Sequence, residues 1–507
     1  MDFSSPGIWL ATLSVLIGTA SFYILYRGIY NVFYHPLRSY PGPWLWSASR
    51  LPYTISIFRG DATHRVKSLH DKYGQVVRIA PDSLSYTTGR AWKDVYASGK
   101  SNGSGNLPKD FKFYITPPGS IENISTASDA NHRRLRKIQG HAFSQKAISL
   151  QEPYLVLYVE TFITSLRNEA ARSDGIVNIT KWVDIWAADT IGSLAFGESF
   201  GGLWARQLHL WLKSLYTTTK TYTFTREILR LPSFLIKPAL ACIPKSMKEH
   251  QEGALPFGVT ATTHRLRQKT DRQDFMSYML RHNDDEGKRM SRAEIDMAAI
   301  TLIFAGSETT ATMITGTVYL LITNPSVLSK LTENIRSNFP NEDGLMNAKL
   351  KRNEYLDCVL KEGLRLYPPT PDKLFRTTKN RSVIVAGRMV PPQTSITVNL
   401  WAAFRDPTNF HRPLEFIPER WLKDTPPEFL KDDKTVFKPF SFGPRDCIGK
   451  NLAWAQMRLV LAHLVWNFDF LGLERGSRQW IERQKIFTLW EKLPLDVSIM
   501  PRRHHND

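Results

Sequence analysis

The sequence predicts a mainly α-helical body with small β-sheets, held behind a single N-terminal transmembrane helix. Three observations predict it. Residues 8–26, IWLATLSVLIGTASFYILY, carry no charge. Helix-period apolar stretches dominate from about 128 to 340, and the longest runs from Ser291 to Ile322. Strand character is confined to short pieces, VVRIAPDSLSYTT (76–88), SVIVAG and SITVNL.

Taken in order, the uncharged stretch spans about 28 Å as a helix, close to the hydrocarbon thickness of a bilayer. A cleaved signal peptide would carry a basic leader, whereas only Asp2 precedes this one. A buried core helix would show a polar face, and neither face is polar. Arg27, Arg38 and Arg50 follow the stretch, which places the body on the cytosolic side. The sequons at Asn102, Asn123 and Asn178 would then stay unglycosylated. YHPLRSYPGPWLW (34–46) is too proline-rich to continue the helix and reads as a stiff hinge. VVRIAPDSLSYTT is a strand broken at Pro81, and KSNGSGNLPKD (100–110) is a loop by composition. SRAE (291–294) is a capping box that starts the long helix. That helix is apolar nearly all round, so it should cross the middle of the body. YLDCVLKEGLRLY is a second helix, stopped by Pro368-Pro369, and NLAWAQMRLVLAHLVWNF is a third.

Composition sets the bounds of function. The 507 residues carry a net charge of +19, which favours an acidic partner or an anionic membrane surface. Nucleic-acid binding is the other reading of that charge. The charge is spread along the chain with no binding motif, so no nucleic acid is expected. Three scattered cysteines, Cys242, Cys358 and Cys447, exclude a disulfide framework. Cys242 and Cys358 lie in apolar runs and read as core.

Cys447 stands apart, in FSFGPRDCIGK (440–450). It precedes a helix, whose N-terminus favours a thiolate, so a low pKa is expected. Gly443 and Gly449 would let a flat group approach. Phe440 and Phe442 would shield the sulfur, and Arg445 offers donors to a carboxylate. A nucleophile would need a nearby base, and a zinc site would need further ligands at short spacing. The surroundings describe a protected thiolate beside a planar, anionic group.

Phe440, Gly443, Arg445, Cys447 and Gly449 occupy every fixed position of F-x-x-G-x-R-x-C-x-G, and here the chain resembles the cytochrome P-450 superfamily. Glu362-Gly-Leu-Arg365, Phe416-Ile-Pro-Glu-Arg420-Trp421 and Ala305-Gly306-Ser-Glu308-Thr309-Thr310 resemble three further segments of that family, in the same order. Trp421 stands where phenylalanine is usual. YHPLRSYPGPWLWSASRLPY (34–53) and HRVKSLHDKYGQVVRIAPDSLSYTT (64–88) resemble fungal secondary-metabolite members of the trichothecene (isotrichodermin) hydroxylase type.

The resemblance implies a membrane anchor in residues 1–30 and a cytochrome P-450 catalytic domain in residues 31–507. It implies haem, with Cys447 as axial iron ligand. Arg445, His132, Arg136 and Arg376 would meet the propionates. Glu308 and Thr309 would handle dioxygen and relay its protons, with Gly306 clearing room for a ligand. Glu362, Arg365 and Arg420 would form a buried network bracing the core. Phe111, Phe113, Tyr114, Phe304, Leu374, Phe375 and Phe487 lie in segments that line the family's pocket.

No flavin or nicotinamide fingerprint is present, so electrons would come from an NADPH-cytochrome P-450 reductase. It would dock on Lys438, Arg445, Lys450, Arg458 and the basic run 132–137. The expected setting is the endoplasmic-reticulum membrane, single-pass. The expected reaction is monooxygenation of a lipophilic terpenoid or polyketide intermediate. Desaturation, ring expansion or rearrangement by the same haem, and a non-catalytic haem sensor, are the alternatives.

Overall fold

The computed structural model describes residues 6–97, 106–115, 121–268, 270–281, 289–371 and 374–502. Asn102 and most of the loop 100–110 therefore lie outside the described residues. The N-terminal helix, Pro6–Ile29, leads into a short π-turn at Tyr30–Tyr34. Leu16, Phe22 and Ile24 stand largely exposed along it, with nothing of the body packed over them. A helix that presents such side chains to its surroundings fits a membrane anchor. The proline-rich segment behind it is tied down: the Arg78 amide donates to Pro41 O at 2.7 Å, and Arg78 Nη1 donates to Asn31 O at 2.9 Å.

The broken strand forms as two antiparallel strands, Val76–Ala80 and Ser83–Tyr86, on either side of Pro81. Ser83–Tyr86 pairs in parallel with Ser395–Val398, and Arg376–Thr377 closes that sheet. A separate three-stranded sheet, Ile176–Asn178, Asp496–Pro501 and Phe468–Leu473, braces the helical layer.

The central helix, Arg292–Ile322, begins at the expected capping box. The Glu294 amide donates to Ser291 Oγ and the Ser291 amide to Glu294 Oε2. It is also long and apolar enough to cross a membrane, but most of it is buried within the body. It packs closely on helix Ile179–Phe196. Gly306 makes that approach possible, because a Cβ there would lie 2.9 Å from Ile191 Cδ1. Gly306 thus serves helix packing, which corrects its reading as an opening for a ligand. Cys358 is buried as expected, whereas Cys242 is exposed at a helix end and is not core.

Helix Glu354–Leu366 carries the charge network that sequence spacing pointed to. Glu362, Arg365 and Arg420 are fully buried. Arg365 donates to Glu362 through Nε at 2.9 Å and Nη2 at 2.8 Å. Arg420 Nε donates at 3.1 Å, the Ile417 amide at 2.9 Å and the Trp421 indole at 2.8 Å. Burial alone would raise the Glu362 pKa, but the two guanidiniums outweigh it and the carboxyl stays below its ordinary value. The contribution of this ionised pair is therefore present above the ordinary carboxylate pKa and fades as pH falls below it.

Removing one partner leaves a buried charge uncompensated, at a cost of about 3–5 kcal/mol. Arg420→Ala should lose roughly that much in urea or thermal unfolding. Trp421→Phe removes one charge-assisted bond and should lose about 1.5–3 kcal/mol. Equal stability of Arg420→Ala and the wild type would refute the network's role.

Candidate functional site

The central helix is buried at Leu302, Ile303, Ser307 and Glu308, yet Ala305 is open and Thr301 and Thr309 are partly open. Positions 301, 305 and 309 share one helix face. Side chains open on one face of a helix in the middle of the body line an internal cavity. The Thr309 hydroxyl donates back to Ala305 O at 2.6 Å, along that same face.

Cys447 shows the same pairing of properties. Its side chain is accessible. Protein nevertheless surrounds it so fully that desolvation raises its thiol pKa. An accessible side chain amid so much protein fits a group on the wall of an interior space. The expected low pKa is thereby corrected. Cys447 precedes helix Lys450–Asn467, and the Gly449 amide favours the thiolate, but burial outweighs that help. The loop is held by its own backbone, with the Cys447 amide donating to Phe440 O at 2.9 Å. Phe440 packs near Trp454, at 6.2 Å between ring centroids.

Gly443 has φ +81°, and a Cβ there would lie 1.9 Å from Tyr96 O. Its lack of a side chain serves this loop-to-helix approach, rather than the approach of a flat group. Gly449 is different, since the nearest atom to a Cβ there would be Cys447 Sγ, 4.0 Å away. The following helix crosses the central one where Thr310 Oγ1 donates to Gln456 Oε1 at 3.3 Å.

A second group of residues surrounds Asp129. Arg445 is turned inward. Its Nη2 donates to Asp129 Oδ1 at 2.7 Å and to Ala127 O at 2.8 Å. Desolvation of Asp129 is outweighed by Arg445, which lowers the carboxyl's pKa. Arg376, on its short strand, is 2% exposed. Arg376 Nε and Nη1, and Arg445 Nη1, have no hydrogen-bond partner among the described residues. His132, on helix Asp129–Gly140, is buried beside them. Burial and the neighbouring Arg445 and Arg136 push its pKa down to about 4, so it is neutral at pH 7.

Arg136 does not join the group. It donates to the carbonyl and the carboxylate of Asp446, each at 2.5 Å, and this corrects its expected place at the propionates. Sequence reasoning missed Lys109, which bridges to Arg376 across the sheet edge and is buried. Burial, then Arg376 and Arg445, holds its pKa well below normal. Its only signal in sequence was a lysine closing a loop, which is no signal at all.

Arg445 thus bonds Asp129, Arg376 and Lys109 lie close enough to feel the same carboxylate, and three guanidinium nitrogens lack partners among the described residues. Such a set fits a buried dianion. The carboxylates of a haem are of that kind, and a thiol on the cavity wall supplies the other contact such a cofactor needs.

Glu308 points away from that cavity. It is buried against Lys492, with Nζ to Oε1 at 3.2 Å, and Thr312 Oγ1 lies 3.4 Å from the same oxygen. Lys492 also meets Asp184 at 2.5 Å. The acid is therefore paired. Burial still raises its pKa to about 7, with Lys492 opposing the rise and Asp184 adding to it. Phe304 and Phe487 line a neighbouring cleft of about 370 Å³, together with Tyr216 and Lys492. Phe113 and Phe375 are core residues, Phe111 is on the surface, and Tyr114 and Leu374 are half-buried.

Of the expected docking cations, Arg133, Lys137 and Lys450 are exposed and Lys438 is half-buried. Arg445 faces inward, and Arg458 is held by Asp357 at 2.7 Å, so neither belongs to a docking face.

The family profile of cytochrome P-450 matches residues 39–497. The cytochrome P-450 monooxygenase aclL of Aspergillus oryzae is 38% identical over 98% of this chain and 99% of its own. The cytochrome P-450 monooxygenase astA of Talaromyces wortmannii is 37% identical, covering 96% and 97%. An averantin hydroxylase of Dothistroma septosporum is 37% identical, covering 98% and 93%. With an accessible thiol set in the full signature and a buried donor set suited to a dianion, this chain belongs to the cytochrome P-450 family of haem-dependent, oxygen-incorporating oxidoreductases.

Proposed function

We propose that this chain hydroxylates or otherwise oxidises a lipophilic polyketide or terpenoid intermediate of fungal secondary metabolism, with Cys447 as the axial ligand of its haem. The observation that carries the reading is Cys447 on the wall of an enclosed cavity, with unpartnered Arg376 and Arg445 donors in the same body. The relatives' names support the metabolic setting. When bound, the haem supplies reductive activation of dioxygen, and thiolate ligation favours O–O cleavage.

The rest of the work belongs to the chain. Cys447 is the ligand, and its burial excludes water from the sulfur. Arg445, Arg376, His132 and Lys109 hold the propionates. Arg136 positions the cysteine loop through Asp446. Ala305 leaves the central helix open where a substrate sits, and Thr309 presents a hydroxyl on the same face. Glu308 holds a proton one residue away. The N-terminal helix anchors residues 31–507 to the endoplasmic-reticulum membrane, with the body in the cytosol. Arg133, Lys137, Lys438 and Lys450 form a cationic surface for an acidic NADPH-cytochrome P-450 reductase.

The decisive test is the reduced carbon-monoxide difference spectrum of the wild type beside Cys447→Ala. The wild type should give a red-shifted Soret band, and the variant should lose it. The same band in both would overturn the ligand assignment. Turnover with reductase, NADPH and isotopically labelled O2 on a panel of lipophilic aromatic polyketides and terpenoids then separates oxygen insertion from desaturation or rearrangement.

Two further outcomes are expected. Lys109→Met should change haem-free stability little, since it relieves repulsion among cations but leaves the Ser125 carbonyl without its ammonium donor. It should also loosen haem retention about ten- to a hundredfold, the worth of one charge-assisted bond. Unchanged haem transfer to apomyoglobin would remove Lys109 from the site. Lys137→Glu should raise the reductase KM about two- to fivefold with the spectrum intact, and added salt should shrink the difference. A KM insensitive to both would place the docking surface elsewhere.

A further inference from the structure

Two carboxylates and one ammonium are buried together beside the central helix. Asp184 comes from helix Ile179–Phe196, Glu308 from the central helix, and Lys492 from the chain just after strand Leu489–Glu491. Lys492 Nζ lies 2.5 Å from Asp184 and 3.2 Å from Glu308, and the side chains of Lys492 and Glu308 are each 6% exposed. Fully ionised, the trio would carry one uncompensated negative charge out of water, which is costly. Sharing one proton between the two acids removes that charge.

The trio also has a way out. It lies at the floor of the cleft of about 370 Å³ between helix Leu210–Ile228 and the hairpin Lys485–Glu491. At the rim, Lys220 and Glu491 pair at 2.7 Å and are 33% and 44% exposed. Surface charge at one end and buried charge at the other describe a path from solvent to Glu308. The other titratable groups facing the trio stay neutral. Tyr216 donates to Ser307 Oγ at 3.0 Å and Tyr367 to Gln484 Oε1 at 2.8 Å, and burial raises both phenols.

We propose that Asp184 and Lys492 are positioning residues that load Glu308 with a proton taken from water in this cleft. This rests on the reading of Glu308 as the proton donor beside Thr309. One proton sits on the acid pair. When Glu308 passes its proton toward Thr309, Lys492 stabilises the carboxylate left behind. A proton from cleft water then restores the pair, so one enters for each that leaves. Asp184 keeps the proton on Glu308 available at neutral pH by taking up part of the ammonium's charge.

The two partners therefore act on Glu308 with opposite sign. Asp184→Asn leaves Lys492 wholly to Glu308 and lowers its pKa. Lys492→Met removes the cation and raises it. Each shift should be about 1–3 pH units.

The test is an infrared titration of the holoenzyme, following the C=O stretch of a protonated buried carboxyl. Glu308→Gln identifies the band by abolishing it. The band's midpoint should fall in Asp184→Asn and rise in Lys492→Met, with the carbon-monoxide spectrum unchanged in both. Reductase-driven NADPH oxidation, without added substrate, supplies the second readout. At pH 7, Asp184→Asn should release more hydrogen peroxide per NADPH than the wild type, as Glu308→Gln should.

Midpoints that stay put, or move in the same direction in both variants, would overturn the proposal. If Glu308→Gln raises peroxide release while Asp184→Asn does not, Glu308 remains the donor and the loading role falls. If Glu308→Gln changes neither readout, the reading of Glu308 itself falls.

Discussion

The carboxylate of Glu362 is the point on which the cysteine loop's placement depends. Five hydrogen bonds converge on it, from Arg365 twice, Arg420, Trp421 and the Ile417 amide. Arg365 then reaches the carbonyls of Phe404, Pro413 and Glu415, and Arg420 those of His411 and Arg412. The chain between 404 and 421 has little regular structure, so side-chain donors satisfy carbonyls that a ladder would otherwise hold. A buried ion pair adds little net stability over an apolar substitute, but it tolerates no missing member. That intolerance gives an irregular segment one conformation, and the chain runs on from it through two short turns to Phe440–Lys450.

Desolvation decides the electrostatics of both cavities. Cys447 lies just ahead of a helix, where the partial charge favours a thiolate. That effect is small and local, and burial of the sulfur exceeds it. A thiolate there would depend on the charge of a bound metal. Around Asp129, Lys109, Arg376 and Arg445 repel one another in a medium that screens poorly. Asp129 offsets only part of that repulsion, and a further anion would complete the cluster, as the haem reading proposes.

Much of this was legible in the sequence. Glu362 and Arg365 sit three apart on one helix, and the residues around Cys447 are local, so short motifs and the family resemblance they carry exposed them. The capping box at Ser291 and the break at Pro81 are likewise short-range signals. Lys109, Asp184 and Lys492 were not legible. Asp184 and Lys492 are defined by partners more than a hundred residues away and Lys109 by its bridge to Arg376, and a lone lysine or aspartate in a sequence is most often solvated. Gly306 and Gly443 were seen but misread. A glycine announces that something comes close, and only packing reveals that the neighbours are Ile191 and the Tyr96 carbonyl. Arg136 had the right spacing, but Asp446 competes for it at shorter range.

The central helix connects the two cavities through its own geometry. Successive residues on a helix are turned by about 100° from one another. Thr301, Ala305 and Thr309 therefore face one space, while Phe304 and Glu308 face the next. A sequence pair that reads as acid next to alcohol is, in space, an acid on the cleft side and a hydroxyl on the face that carries Thr301 and Ala305. Placing both on one face would have left the carboxylate beside the haem, with neither Lys492 nor Asp184 in reach. Placing them further apart would have put packed core between donor and acceptor. Adjacency on a helix is the arrangement that lets Glu308 keep its charge partners while its backbone neighbour carries the Thr309 hydroxyl. The pairing with Lys492 then becomes part of how a buried acid can hold a proton and release it without stranding a charge.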